Sequence, residues 1–189
     1  MKTKLTLLII SLIFLMPGCK KGPNDPFLSF KCRKARVVGT WTVTSYKSTY
    51  SSSGGNTFSH MMTNGTYSDT YNGFTTTGVE TFSYEFLKDG TWTLTNNSDG
   101  DLYTSEGTWN FTGKIGENKN KDHIVMMITK STDPNSTQTY VGDEFDAGIF
   151  IDELRSKKMV WTNHVVYTDN GGSSTFNSTS DDEWVLESK

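Results

Sequence analysis

The chain has 189 residues, with 18 Lys and Arg against 21 Asp and Glu, for a formal net charge of −3. A mildly acidic chain of this kind carries no sign of general nucleic-acid binding. Its two cysteines, Cys19 and Cys32, are too few for a disulfide framework.

Lys2 and Lys4 form a short basic start, and Leu5 to Met16 (LTLLIISLIFLM) then run almost wholly apolar. A bilayer-spanning helix needs about 20 residues, so this stretch is too short to span and fits the apolar region of a secretory signal. It ends in Leu15-Met16-Pro17-Gly18-Cys19. A small residue directly before a cysteine resembles the lipobox of bacterial lipoproteins. The resemblance implies cleavage after Gly18, diacylglycerol on the Cys19 sulfur and acylation of the new amino group. Several acyl chains anchor stably where one is marginal. The competing reading is an ordinary signal peptide with Cys19 paired to Cys32, but no A-x-A-like cleavage site is present. Lys20 follows the cysteine where an aspartate would resemble an inner-membrane retention signal, which tilts the address toward the outer membrane, on either face. Removing the signal, residues 1–18, leaves 189 less 18, or 171 residues, and losing Lys2 and Lys4 moves the charge from −3 to −5. That length suits one domain with a real core. Cys32 is then the free thiol, either buried or paired with another chain, and burial is the commoner state.

Residues 19–25 read as a polar tether. Asp25-Pro26 has the form of a helix N-cap followed by proline at the first helical position. Phe27 and Phe30 share a face if Pro26 to Arg36 is helical, so one short helical turn is expected there. Lys31, Arg33, Lys34 and Arg36 make it basic, facing either anionic head groups or solvent.

Gly-Thr-Trp then occurs three times, as Gly39 to Thr44 (GTWTVT), Gly90 to Thr95 (GTWTLT) and Gly107 to Thr112 (GTWNFT). Side chains of a strand alternate between faces, so Trp41 with Val43, Trp92 with Leu94, and Trp109 with Phe111 each share a face opposite the threonines. These are equivalent strands of one sheet, each led by a glycine suited to a turn or bulge. Residues 51–73 are expected to form a short strand followed by a lid-like loop. Thr81 to Leu87 alternates, with Phe82, Tyr84 and Phe86 on one face, and Lys88-Asp89-Gly90 makes a tight hairpin to the next strand. Asn96 to Asp101 is a second turn, leading into Tyr103 to Thr112. Residues 113–122 are a polar loop. His123 to Lys130 is apolar on both faces, and Asp133-Pro134-Asn135 is a turn. Tyr140 to Phe145 and Ala147 to Leu154 are weaker strands. Lys158 to Thr168 and Ser174 to Glu187 complete the set, joined through Asn170-Gly171-Gly172.

Eight or nine strands with mostly short connections predict an antiparallel up-and-down β-barrel of about eight strands, which removes its edges by closing. A short helical turn leading into Gly39-Thr40-Trp41 resembles the G-x-W start of lipocalins. Residues Tyr84 to Trp92 (YEFLKDGTW) and Glu106 to Trp109 (EGTW) look like the lipocalin-like domains of anchored lipoproteins of Bacteroidetes. The resemblance spans residues 26–189. It implies a barrel that binds a small apolar ligand, with Trp41 packed near the closed end against Arg33 or Arg36. An immunoglobulin-like sandwich is the rival fold.

The sequence holds no G-x-S-x-G, H-E-x-x-H or P-loop pattern, so no catalytic residue, metal site or cofactor is assigned and an enzyme is not expected. His60, His123 and His164 lie far apart. Asp99-Gly100-Asp101 lacks the donors of an EF-hand loop and reads as a turn. Two acidic patches, Asp143-Glu144-Asp146 and Asp181-Asp182-Glu183, set no fixed carboxylate separation. The remaining lead is aromatic: Tyr84, Trp92, Trp109 and Trp161 either line a ligand pocket or simply fill the core. A non-catalytic envelope interaction module with a filled barrel is the alternative function, and the expected partners are the membrane, through Cys19, and the ligand.

Overall fold

A computed structural model describes residue 25 and residues 32–112, 123–140, 145–169 and 176–188. The signal, Cys19, the tether before Asp25, residues 26–31, the 113–122 loop and the Asn170-Gly171-Gly172 turn lie outside the described residues. Among the described residues one helical turn, α1 (Arg33–Val37), precedes eleven strands. They are β1 (Gly39–Ser52), β2 (Thr57–Thr63), β3 (Thr66–Tyr71), β4 (Phe74–Phe86), β5 (Thr91–Ser98) and β6 (Asp101–Phe111), then β7 (His123–Thr132), β8 (Thr137–Thr139), β9 (Phe145–Leu154), β10 (Lys158–Asp169) and β11 (Phe176–Ser188).

Antiparallel ladders link β1 through β7 in chain order, then β9, β10 and β11, which pairs back onto β1. The result is a closed all-β barrel of ten strands, with β8 outside on the end of β7. A single closed circuit replaces the two sheets of a sandwich. The expected count of about eight is corrected to ten, and the reason lies in residues 51–73. These form a regular hairpin, β2–β3, where a short strand followed by a lid-like loop was expected. Asn64-Gly65 joins the two strands and Asn72-Gly73 joins β3 to β4, with positive φ at all four residues. That is the type I′ geometry that two-residue hairpins favour and that Asn-Gly adopts readily.

The added hairpin does not run the full height of the barrel. On the side away from β11, Gly39 to Thr42 pair with Phe86 to Ser83 of β4, whereas Ser45 to Ser51 pair with Thr63 to Thr57 of β2. The change of partner falls at Thr44, where the β1–β11 register also shifts. The Asn64-Gly65 turn sits in the fork, with Asn64 N–H donating to Thr44 O (2.9 Å) and Glu80 N–H donating to Gly65 O (3.0 Å). The circuit is therefore eight strands around below the fork and ten above it.

Below the fork the described interior side chains pack together into an apolar floor. Trp41, Val43, Phe86, Trp92, Trp109, Ile124, Met126, Leu154, Met159 and Leu186 are buried together. The three Gly-Thr-Trp tryptophans all project into this floor, and each indole N–H donates to a backbone carbonyl: Trp41 to Val37 (2.7 Å), Trp92 to Met127 (3.2 Å) and Trp109 to Leu87 (3.2 Å). Gly107 has a steric reason to be glycine. It lies at the β6–β7 register shift, and a Cβ there would stand 1.8 Å from Met127 O.

The floor is capped from outside by α1. The N-cap position is Cys32, half-buried, with no side-chain cap, so Asp25 is not the cap of this turn. Its carboxylate is instead buried between two arginines. Arg33 donates to it through Nε (3.0 Å) and Nη2 (3.4 Å), and Arg36 through Nη2 (2.8 Å). Arg33 and Arg36 also donate to the Ile151 and Leu154 carbonyls, and Leu154 N–H donates to Asp25 (2.9 Å). Lys34 Nζ lies 5.4 Å from the Trp109 ring centroid, a cation–π contact. Removing one partner of such a buried cluster leaves charges unpaired. Asp25→Ala is expected to cost about 3–5 kcal/mol in urea unfolding, and a change below about 1 kcal/mol would show that the cluster does not hold the cap.

Candidate functional site

Above the floor the side chains change character. Tyr84 (β4) pairs directly with Trp41 at the top of the floor, and period-two placement with the ladder register brings Phe82 (β4), Tyr46 (β1), Trp161 (β10) and Trp184 (β11) around it in the interior. Tyr46 stacks on Trp184 with centroids 3.7 Å apart. Tyr84, Trp161 and Trp184 form a triangle with centroid separations of 4.8, 6.4 and 6.4 Å and interplanar angles of 73°, 83° and 47°. The wall so formed presents both ring faces and ring edges. Against it lies a cavity of about 180 Å³. Its other lining residues are Gly148 and Ile149 of β9, Thr162 and Asn163 of β10, and Asp182 of β11. The β9–β10 ladder among the described residues ends at Thr162↔Phe150, so the cavity sits where these two strands part. An outer groove of about 500 Å³ adjoins the same edge, lined by Lys47, Phe150, His164, Asp181 and Glu183 among others.

Of the four residues expected to contact a ligand, Tyr84 and Trp161 meet in this wall. Trp92 and Trp109 lie below it, in the floor, with their indole donors already used. Trp161 is 2% exposed, and its Nε1 has no hydrogen-bond partner among the described residues. Tyr46 and Trp184, which complete the wall, had no signal beyond their alternation.

One tier higher is a polar cluster that sequence reasoning missed. His60 and Asp69 face one another across β2 and β3, and Asp69 Oδ1 lies 2.6 Å from His60 Nδ1. Glu80 of β4 brings Oε2 to 3.5 Å from Nε2 and accepts from Asn96 Nδ2 (3.0 Å). The imidazole lies between Tyr46 and Tyr67, with centroids at 4.9 and 5.6 Å. His60 Nε2 has no hydrogen-bond partner among the described residues. The register set by Asn64-Gly65 makes this meeting; spacing in the chain does not reveal it. His123 stacks on Phe150 (4.5 Å), and burial pushes its pKa below the ordinary histidine value. His164 pairs with Asp181 (2.5 Å) on the outer surface. Asp99 accepts from Val79 N–H (2.8 Å) and Tyr67 O–H (2.9 Å), so Asp99-Gly100 is a hairpin turn whose carboxyl is held below its ordinary pKa. Among the described residues no group of three or more His, Cys, Asp or Glu is placed to hold a metal.

Burial raises the Tyr46 phenol above its ordinary value, a hydrogen bond with Ser48 opposes this, and the carboxylates of Asp182, Glu80 and Asp69 add to the rise. Compared with protein-family models, curated proteins and solved structures, the chain gives no match.

A phenol whose folded pKa is raised stays protonated at pH values where the unfolded chain, at about 10, has ionised. Its stabilising contribution is whole below pH 10 and is lost as pH rises through the higher folded value. An ultraviolet titration of the wild type minus Tyr46→Phe is expected to centre above pH 10. A midpoint at or below 10 contradicts the buried, carboxylate-flanked position.

Proposed function

We propose that the chain is a lipid-anchored, lipocalin-like envelope protein that binds a small, largely apolar ligand inside its barrel, without turning it over. The observation that carries the binding reading is the aromatic-walled cavity of about 180 Å³ between Tyr46, Tyr84, Trp161, Trp184 and Ile149. Cavities of about 150 Å³ lined by apolar side chains take a molecule the size of benzene, so this cavity has room for a group of single-ring size. The anchoring part rests on Gly18-Cys19 after the apolar run, and the outer-membrane address on Lys20. Among the described residues no helix is long and apolar enough to cross a membrane.

The exposed apolar residues at the open end favour a second reading, an envelope interaction module. Phe74 is 81% exposed, and Tyr71, Val166 and Tyr167 are more than half exposed. Crosslinking in the native membrane through a photoreactive residue at position 74 would capture a discrete partner on that reading, and none on the first.

Toluene titrated into the full chain in maltoside micelles is expected to shift the Trp161 indole resonance saturably, with a dissociation constant below about 1 mM. Ile149→Trp, which fills the cavity, should abolish the shift. Linear, unsaturable shifts in both proteins would contradict the reading. Cys19→Ala is expected to abolish metabolic incorporation of a palmitate analogue, and label retained by the variant would overturn the anchor.

A further inference from the structure

The cavity wall carries a carboxylate that an apolar ligand leaves unanswered. Asp182 stands on β11 in one row with Ser48 of β1 and Asn163 of β10, on the same side of the strand as Trp184 and Leu186. It lines the cavity, and among the described residues it has no hydrogen-bond or ion-pair partner. Asp182 is half-buried and borders the outer groove as well, and a carboxylate partly screened from water attracts a cation more strongly than one in bulk water. The neighbouring tier adds Glu80 and Asp69, and both, with Asp182, act on the Tyr46 phenol. Among the described inward-facing residues above Trp41, the imidazole of His60 is the one group able to carry positive charge, and it is engaged with Asp69 and lies 3.5 Å from Glu80. The approach has the same sign. The outer groove at the parted β9–β10 edge sets Lys47 and His164 against Asp181, Asp182 and Glu183, with His164 paired to Asp181.

A negative field inside and at the mouth repels anions and concentrates cations. The aromatic wall acts in the same direction, because the faces of Tyr and Trp rings attract cations, and desolvation strengthens the attraction. The wall also holds an unused donor, the buried Nε1 of Trp161, which an oxygen acceptor would satisfy.

We infer that the ligand of this cavity is a small organic cation, a quaternary or protonated amine bearing an oxygen acceptor, with its charged group between Asp182 and the rings of Tyr46, Tyr84, Trp161 and Trp184. The inference rests on the ligand-binding reading above and names the chemical class of that ligand.

The test compares two probes of one shape. Choline and 3,3-dimethylbutan-1-ol differ in nitrogen against carbon at the branched centre, so size and hydroxyl are held constant while the charge is removed. Both are titrated into the full chain in maltoside micelles, whose head groups are uncharged, and followed by the Trp161 indole resonance. Choline is expected to bind about tenfold more tightly than the alcohol or better, a difference of about 1.4 kcal/mol. Asp182→Asn, which keeps the shape, is expected to weaken choline about fivefold or more while moving the alcohol by less than about twofold. Equal affinities, or tighter binding of the alcohol, would overturn the cation and leave the ligand-binding reading standing. So would saturable binding of toluene with no binding of choline. A preference for choline that Asp182→Asn leaves unchanged would overturn the assignment to this wall. No binding of choline, alcohol or toluene would overturn both.

Discussion

The structure depends on one change of partner. Strand β1 is paired along its whole length with β11, but its other edge is shared, with β4 taking Gly39 to Thr42 and β2 taking Ser45 to Ser51. A barrel's width grows with the number of strands around it, and eight give an interior that side chains just fill. The partner change therefore divides the molecule by geometry. Eight strands enclose the floor of Trp41, Trp92, Trp109, Phe86 and their neighbours, and ten enclose a wider tier. The aromatic cavity lies at the step between them. The Asn64-Gly65 turn holds the step open through hydrogen bonds to both sides of the fork.

The two ends are held by different physics. The floor is packed apolar volume whose indole donors all reach backbone carbonyls, and it is sealed by α1 through the buried Asp25–Arg33–Arg36 cluster. Such a cluster adds little over an apolar seal, but it is strongly selective, since each partner is costly to leave alone. Ionisable and polar groups gather in the tier above: His60, Asp69, Glu80, Asn96 and Asp182.

Alternation made much of this legible. Trp41, Trp92 and Trp109 lie on one interior face as period two requires, and the turns at Lys88-Asp89-Gly90, Asp99-Gly100 and Asp133-Pro134-Asn135 fall within or beside their predicted places. The β2–β3 hairpin was hidden by its composition. Its strands are rich in Thr, Ser and Tyr and carry few aliphatic residues, although Asn64-Gly65 and Asn72-Gly73 are strong hairpin signals in their own right. Reading it as one short strand and a loop lowered the strand count. It also hid the meeting of His60 with Asp69 and Glu80, because cross-strand neighbours are set by register and not by distance along the chain. Two of the four aromatics expected at a pocket, Tyr84 and Trp161, do line it. Trp92 and Trp109 belong to the same face of their strands but to the narrow tier, a distinction of height in the barrel that alternation does not encode.

The central claim is a solid floor beneath an open chamber. Xenon, a probe of space without chemistry, tests it most directly when the five tryptophan indole resonances are followed under gas pressure. The account predicts shifts at Trp161 and Trp184 that saturate with pressure, while Trp41, Trp92 and Trp109 stay in place. Shifts confined to the three floor tryptophans, or none at any of the five, would contradict it.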